Sequence, residues 1–428
     1  MPGRHAGLIH EGLNRTMNMY ADEKSDKSIV PKKLPNEEDD SSEEAVEGRA
    51  LPKGNTGQST VVRTQRRVAT SSGLAGVRQA AQQAKDVQFT ALLHHVSVPL
   101  LEQSYFALKR GSAPGIDGVS WQAYGVKLKE RLTELHSRIH QGSYRASPAR
   151  RKMFPKADGT ERPLSILCLE DKIVQQAVVY VLEAIYEQDF LGFSYGFRRG
   201  RGQHDALDAV SAGIYKKRIG WVLDADIQRF FDAMNHDWMM RFLQHRIGDK
   251  RLLRLIGKWL KVGVMNGHHV ERSKEGCPQG AVISPILANV YLHYVLDLWA
   301  HAWRRKRAAG DMLIIRYADD SVLGFEHEGE ARAFLQDLQQ RLKTFGLNLH
   351  PDKTRLIQFG RHAIRDRKQS GLGKPETFDF LGFTHFCTAS RKNGDFVIGR
   401  KTIRKRMRAT LGLIKIELRR RMHDRPCY

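Results

Sequence analysis

The sequence predicts an α+β fold, on three observations. Trp221 to Ile227 is a short apolar run ending in carboxylates, as a buried strand would be. Met312 to Phe325 reads as a hairpin, two apolar arms around a Tyr-Ala-Asp-Asp tip at 317–320. Around them, apolar residues recur at helical spacing, so strands and helices interleave.

Residues 1–84 are rich in Ser, Gly, Asn and charge, with an acidic block from Glu37 to Glu47, and predict a poorly ordered N-terminal extension. From about Asp86 the character changes. Phe89, Leu92, Leu93, Val96, Leu100 and Leu101 fall at helical spacing and mark the start of the folded body. Ile173, Val174, Ala177, Val178, Val181, Leu182 and Ile185 are dense enough for a buried scaffold helix. Ser284 and Pro285 suit the N-cap and first turn of a helix running from Ile286 to Trp299. Another helix, from Glu330 to Leu342, follows the hairpin. Arg400 to Tyr428 carries eleven Lys/Arg against two acids and reads as a basic helix with Leu411, Ile414 and Leu418 as its apolar stripe.

Composition narrows the function. The net charge is +23, from 70 Lys+Arg against 47 Asp+Glu. Such a surplus favours a polyanionic partner, nucleic acid ahead of a merely solvated basic surface. No apolar run reaches the roughly eighteen residues of a membrane span, so no membrane partner is expected. The first twenty residues lack the apolar core of a secretory signal, which predicts a cytoplasmic, nucleoid-associated protein. Cys168, Cys277, Cys387 and Cys427 are widely separated and form no Cys-x-x-Cys pair, which argues against zinc and disulfides.

The carboxylates carry the chemistry. Hard divalent cations want oxygen ligands, and Mg²⁺ is usually held by few carboxylates while keeping waters and substrate phosphates. Asp226 at a strand end and Asp319 at a hairpin tip would meet around such ions if their strands are neighbours, with Asp320 beside them tuning the field. Adjacent acids at a turn can instead bond only their own backbone. The two β-rich arms, and the Asp-ended strand about ninety residues earlier, favour the metal reading.

Several blocks stand in a recognisable order: KRGSAPGIDGVS at 109–120, PKADGTERPL at 155–164, SYGFRRGRGQHDAL at 194–207, DADIQRFFD at 224–232, GCPQGAVISPILAN at 276–289, YADD at 317–320, LHPDKT at 349–354 and FLGF at 380–383. The stretch from about Lys109 to Arg408 resembles the reverse transcriptases encoded in bacterial group II introns. The resemblance implies a right-hand polymerase: an antiparallel palm sheet packed on helices, fingers, and a partial helical thumb. It implies N-terminal extension helices and fingers over 85–218, palm over 219–386, and the start of a thumb or maturase domain over 387–428. It also implies two Mg²⁺ ions, Mn²⁺ being the alternative, with Asp226, Asp319 and Asp320 as catalytic and metal-binding residues.

By the same resemblance, Lys156 and Arg162 hold the triphosphate of the incoming dNTP. Phe231 presses on the sugar and disfavours a 2′-hydroxyl, with one of Phe230 and Phe231 expected in the core. Gln279 lies near the nucleotide and templating base, and Lys353, close to the catalytic hairpin, binds the nucleotide by neutralising phosphate. Arg198, Arg199 and Arg201 grip template phosphate, and Leu381 and Gly382 form the primer-grip turn. His204 is expected to be scaffold. Two departures leave the metal ligands intact: Cys277 replaces a small or hydroxyl residue, and Gln228-Arg229 replaces a frequent Lys-Gly. The thumb is short, so the expectation is a truncated chain, a partner or second copy completing the thumb, or an enzyme that works without the rest.

The implied function is copying of intron RNA into cDNA from a DNA primer or target, together with binding of that RNA to assist splicing and retrohoming. A domesticated reverse transcriptase of defence or repair, and an RNA-binding splicing factor without polymerase activity, are the alternatives. The three retained acids argue against the last.

Overall fold

In the computed structural model the apolar periodicity around Ile173 becomes a helix spanning Leu169–Asp189. Ile173, Val174, Ala177, Val178, Val181, Leu182 and Ile185 are fully enclosed in it. Each buried Val, Leu or Ile among them contributes about 1.5–3 kcal/mol on leaving water, so this helix anchors the main core. The structure describes residues 73–155, 161–266, 269–271 and 274–422.

The described residues form three sheets. Strands β1 (Ala149–Pro155) and β2 (Glu161–Ile166) pair antiparallel. The chain then runs through the helices Leu169–Asp189 and Gln203–Lys216 to β3 (Trp221–Asp226). Strands β4 (Val264–Asn266) and β5 (His269–Glu271) join the first sheet in the order β2-β1-β4-β5, β4 parallel to β1. The central sheet adds β6 (Met312–Tyr317), β7 (Asp320–Phe325) and β8 (Arg355–Gln358) to β3, in the order β6-β7-β3-β8, with every pair antiparallel. A third sheet of β9 (Phe378–Phe380), β10 (Phe383–Ala389) and β11 (Phe396–Thr402) has the order β11-β10-β9.

Successive side chains of a strand face opposite ways, and both faces of the central sheet are covered. Leu223, Ala225, Ile314, Leu323 and Phe325 face the main core, together with the helices Ser284–Leu292 and Glu328–Thr344. Val222, Leu313, Ile315, Val322 and Ile357 face a second core, roofed by the helix Gln203–Lys216 and by Phe378 and Phe380 of the third sheet. Gly213 permits that roof: a Cβ there would lie 2.5 Å from the Leu313 side chain.

The α+β expectation therefore holds, with differences in detail. Residues 73–83 form a helix with Leu74, Val77 and Ala81 buried, so the folded body begins before the boundary at 84. The Gly- and Ala-rich sequence there gave too little contrast to signal it. Residues 1–72 lie outside the described residues. The apolar set from Leu92 to Leu101 is buried as expected, yet it is split between a 3₁₀ turn at Leu93–His95 and a helix at Val98–Ala107 that Ser97 caps. Ser284 does not cap its helix. It lies inside Ser284–Leu292, where its hydroxyl donates to the Pro278 carbonyl at 2.9 Å. The helix at Glu328–Thr344 is longer than expected, and Arg404–Arg421 is helical with no buried residue.

Asp249 joins the N-terminal elements to the helix Lys250–Lys261. One of its carboxylate oxygens accepts from the backbone N–H groups of Leu92 and Leu93, both at 2.8 Å, and the other caps Arg251 and Leu252 at 2.9 and 3.1 Å. Burial pushes this carboxyl up, but the four N–H donors outweigh it and hold it below its ordinary value near 3.8. A depressed folded-state value stabilises the fold above the unfolded value, and that contribution is lost as pH falls through the folded one. Asp249→Ala should cost roughly 2–3 kcal/mol in urea denaturation at neutral pH. The gap from wild type should narrow as acid is added below pH 4.

Candidate active site

Backbone pairing builds the site. The β3–β7 ladder sets Asp226 directly opposite Asp320, and the β6–β7 ladder closes Tyr317 on Asp320 with Ala318 and Asp319 as the two turn residues. Directly opposed residues share a face, with Cβ atoms about 4.5–5.5 Å apart. Ala318 takes φ +57°, the sign that a type II′ turn needs at its first central residue. Asp319 thus stands at the tip of a tight turn beside two opposed carboxylates.

Two further segments hold this end of the sheet. The loop after Leu349 docks on β3: His350 donates its backbone N–H to the Asp226 carbonyl at 2.8 Å, and the Gln228 N–H donates to the Asn348 carbonyl at 2.8 Å. That docking brings Lys353 in, its ammonium 2.8 Å from the Asp226 carboxylate. Beneath the turn, Gly196 lies so close that a Cβ would be 2.2 Å from the Ala318 nitrogen.

The electrostatics follow. The protein around Asp320 displaces water, and the charges of Asp319 and Asp226 add to that effect, pushing its carboxyl up to about 6. Asp224, two residues before Asp226 on the same face, is pushed up to about 7 by burial against the pull of Arg355, with Asp320 and Asp226 adding to the rise. Lys353 is raised through its hydrogen bond to Asp226, against burial and with help from Asp226, Asp320 and Asp319. The three acids therefore act on one cation in one place.

This donor set fits a hard divalent cation: it is all carboxylate oxygen, the negative charge is crowded, and an ammonium already leans on it. Among the described residues no group of three or more His, Cys, Asp and Glu side chains is drawn together tightly enough to hold an ion by itself. Mg²⁺ does not require such a cage, since it keeps waters and binds substrate phosphates.

The other expected residues lie as follows. Phe230 is buried and Phe231 half-buried, so Phe230 is the core member of the pair. The Cys277 N–H donates to the Phe231 carbonyl at 2.7 Å, and the Ser165 N–H donates to the Gln279 carbonyl at 2.7 Å. Gln279 is thereby held between the Phe231 segment and β2. Gly280, at φ +102°, allows this approach, because a Cβ there would lie 2.8 Å from the Ser165 carbonyl oxygen. Arg162 pairs through its backbone with Phe154 in the β1–β2 hairpin, and Lys156 lies outside the described residues.

The arginine loop differs from expectation. Arg198 is buried, with Nε on Glu187 at 3.0 Å and Nη1 on the Leu191 and Ser194 carbonyls. Arg201 is half-buried on the Gly192 and Ser194 carbonyls. Both brace the loop from within. Arg199 is exposed and pairs with Glu183 at 2.8 Å, so it alone of the three presents its charge at the surface. Leu381 and Gly382 form the turn between β9 and β10 with φ +50° and +85°. The side chain of Gln203 donates to the Leu381 carbonyl, and Arg406 packs against Gly382, where a Cβ would lie 2.0 Å from its guanidinium.

Residues 154–385 match the reverse transcriptase (RNA-dependent DNA polymerase) family. The chain belongs to the reverse transcriptase family. It is 32% identical to protein YkfC of Escherichia coli over 300 residues, which cover 61% of this chain and 79% of YkfC. It is 31% identical to the group II intron-encoded protein LtrA of Lactococcus lactis over 242 residues, 53% of this chain and 38% of LtrA. A 91 kDa protein in the cob intron of Schizosaccharomyces pombe is 42% identical over 147 residues, 34% of this chain and 18% of that protein. The chain thus spans most of YkfC but well under two thirds of the other two. Among the described residues no helix is long and apolar enough to cross a membrane.

Sequence reasoning missed Gly196 as a support of the turn. Gly196 stands within the block at 194–207, but only the fold shows the backbone of Ala318 lying against it. Gly196→Ala should keep the far-ultraviolet circular dichroism of wild type and lower RNA-templated primer extension at least about tenfold, because the added methyl must displace the turn that carries Asp319.

Proposed function

We propose that this chain is an RNA-templated DNA polymerase of a group II intron, which copies intron RNA into cDNA and binds that RNA to assist splicing and retrohoming. The observation that carries the reading is the register of Asp226 opposite Asp320, with Asp319 in the turn between β6 and β7, in a chain of the reverse transcriptase family. In this reading the β6-β7-β3-β8 sheet is the palm. The β1–β2 hairpin and its sheet belong to the fingers, and the helix Arg404–Arg421 begins the thumb.

Asp226 and Asp319 would hold two Mg²⁺ ions, or Mn²⁺, with Asp320 beside them. When bound, the ions lower the pKa of the primer 3′-hydroxyl and neutralise the triphosphate and its leaving pyrophosphate. The chain's own residues do the positioning. Lys156 and Arg162 take triphosphate oxygens, Arg through two N–H donors at once and Lys as a point charge. Phe231 closes the space below the sugar and excludes a 2′-hydroxyl. Gln279 bears on the nucleotide, and Lys353 spreads positive charge over the carboxylates. Leu381 and Gly382 shape the turn against which the primer strand rests. Arg199 offers charge to template phosphate, while the basic helix Arg404–Arg421 adds to the electrostatic attraction for RNA.

Asp319→Ala should abolish primer extension on an RNA template while leaving RNA affinity nearly intact, since phosphate contacts elsewhere carry binding. Extension at the wild-type rate would refute the assignment. Affinity for the RNA should fall steeply with salt, linearly in log–log form, as cations on the protein release counterions.

A further inference from the structure

Behind the catalytic turn lies a buried charge that the mechanism so far does not use. Arg316 is the last residue but one of β6 and is fully enclosed. A guanidinium carries five N–H donors, and all five are engaged. Nε and Nη2 donate to the two carboxylate oxygens of Asp297 at 2.7 and 2.6 Å. The second Nη2 proton goes to the Ser194 hydroxyl at 2.7 Å. Nη1 donates to the Asn289 side-chain oxygen at 3.0 Å and to the Ala318 carbonyl at 2.8 Å.

That last bond reaches the turn itself. Ala318 is the left-handed residue whose peptide leads into Asp319. The partners come from three separate segments. Asn289 also donates to the Gly196 carbonyl at 2.8 Å, which fixes the glycine that the turn rests on. Arg316 and the 193–195 segment exchange backbone hydrogen bonds at 2.9 and 2.8 Å. Asp297 sits in a π-helical turn, His293–Asp297, that interrupts the helix between Leu292 and Leu298. Such one-residue insertions re-aim a side chain within a helix and are common at functional sites. A buried ion pair is weak evidence for stability, because desolvation offsets most of its attraction. Its worth here lies in geometry.

We propose that Arg316 is a positioning residue for nucleotidyl transfer. With Asp297 holding it in place, it fixes the carbonyl of Ala318 and so the direction from which Asp319 faces Asp226. The proposal rests on the polymerase reading above. Lysine cannot substitute: it keeps the charge but offers three donors from a single point, too few and too compact to span Asp297, Ser194, Asn289 and Ala318.

A second buried arginine provides the control. Arg246 lies 2.9 Å from Asp189 and donates to the carbonyls of Ala81, Ala84, Lys85 and Val87, joining the helix Leu169–Asp189 to the N-terminal elements rather than to the turn. Full-length wild type, Asp319→Ala, Arg316→Lys, Ser194→Ala and Arg246→Lys would be compared by Tm, by steady-state primer extension on an RNA template, and by amide hydrogen exchange of the 313–325 peptide. Arg316→Lys should lower kcat about 100-fold with KM for the dNTP within about twofold of wild type, and should speed exchange in the turn. Ser194→Ala, which removes one of the five bonds, should lower kcat roughly three- to tenfold. Arg246→Lys should lose at least as much Tm as Arg316→Lys yet keep kcat within about twofold of wild type. Arg316→Lys with the kcat of Arg246→Lys, or with unchanged exchange in the turn, would overturn the proposal. Should Arg316→Lys not fold, Ser194→Ala decides by the same criterion. A wild-type protein that extends no primer would instead sink the polymerase reading, whereas an active wild type with an inactive Asp319→Ala leaves that reading standing whatever Arg316→Lys does.

Discussion

The β3–β7 ladder is the constraint on which the site depends. Its register is not a local choice, because a slip of one residue would turn every side chain of one strand to the opposite face. Leu223, Ala225, Leu323 and Phe325 belong to the main core, while Val222 and Val322 belong to the second. Burial of both sets fixes the alternation twice over. Asp226 opposite Asp320 is therefore a by-product of hydrophobic packing several residues away, and the packing is strong enough to hold two like charges together at the end of the sheet.

Those charges set what the site can bind. Loss of water first, and then the neighbouring charges of Asp319 and Asp226, raise the affinity of Asp320 for a proton, its carboxyl rising to about 6. The same charges raise the affinity for any cation that can reach them. Lys353 is the first such cation, delivered by a loop whose backbone is tied to the Asp226 carbonyl. It is mostly exposed, so it is held by charge rather than by packing. An ammonium on a flexible stem can yield when stronger cations and phosphates arrive. A buried arginine could not yield in that way.

How much of this was legible in the sequence depended on whether the signal was periodic or tertiary. The hairpin arms, the Asp-ended strand and the scaffold helix announce themselves by alternation or by spacing of apolar residues, and all three appear with nearly the expected bounds. Arg198 and Arg201 did not, because a Gly-spaced arginine run reads the same whether its guanidinium groups point at solvent or curl back onto carbonyls. Arg316 was harder still. A single charge inside an apolar strand breaks the pattern without saying what compensates it, and its partners Asp297, Asn289 and Ser194 come from distant stretches of chain. The π-turn that carries Asp297 has no sequence signature of its own.

Among the described residues Phe197, Arg229, Ala318 and Leu381 are non-glycine residues at positive φ, and two of them, Ala318 in the β6–β7 hairpin and Leu381 before Gly382, lie in tight turns between strands. Such conformations cost on the order of 1–3 kcal/mol each and persist only when their surroundings over-determine them. Both are over-determined in the same manner. Ala318 has Gly196 beneath its backbone and Arg316 on its carbonyl. Leu381 has the Gln203 side chain on its carbonyl, and Arg406 lies against the glycine that follows. Gly196 and Gln203 sit at either end of the loop that Arg198 and Arg201 brace from within. One short loop, stiffened by a buried and a half-buried arginine rather than by secondary structure, thus supports both strained turns. A change in that loop would be felt at both turns, so its two inward-facing arginines bear on the geometry of each.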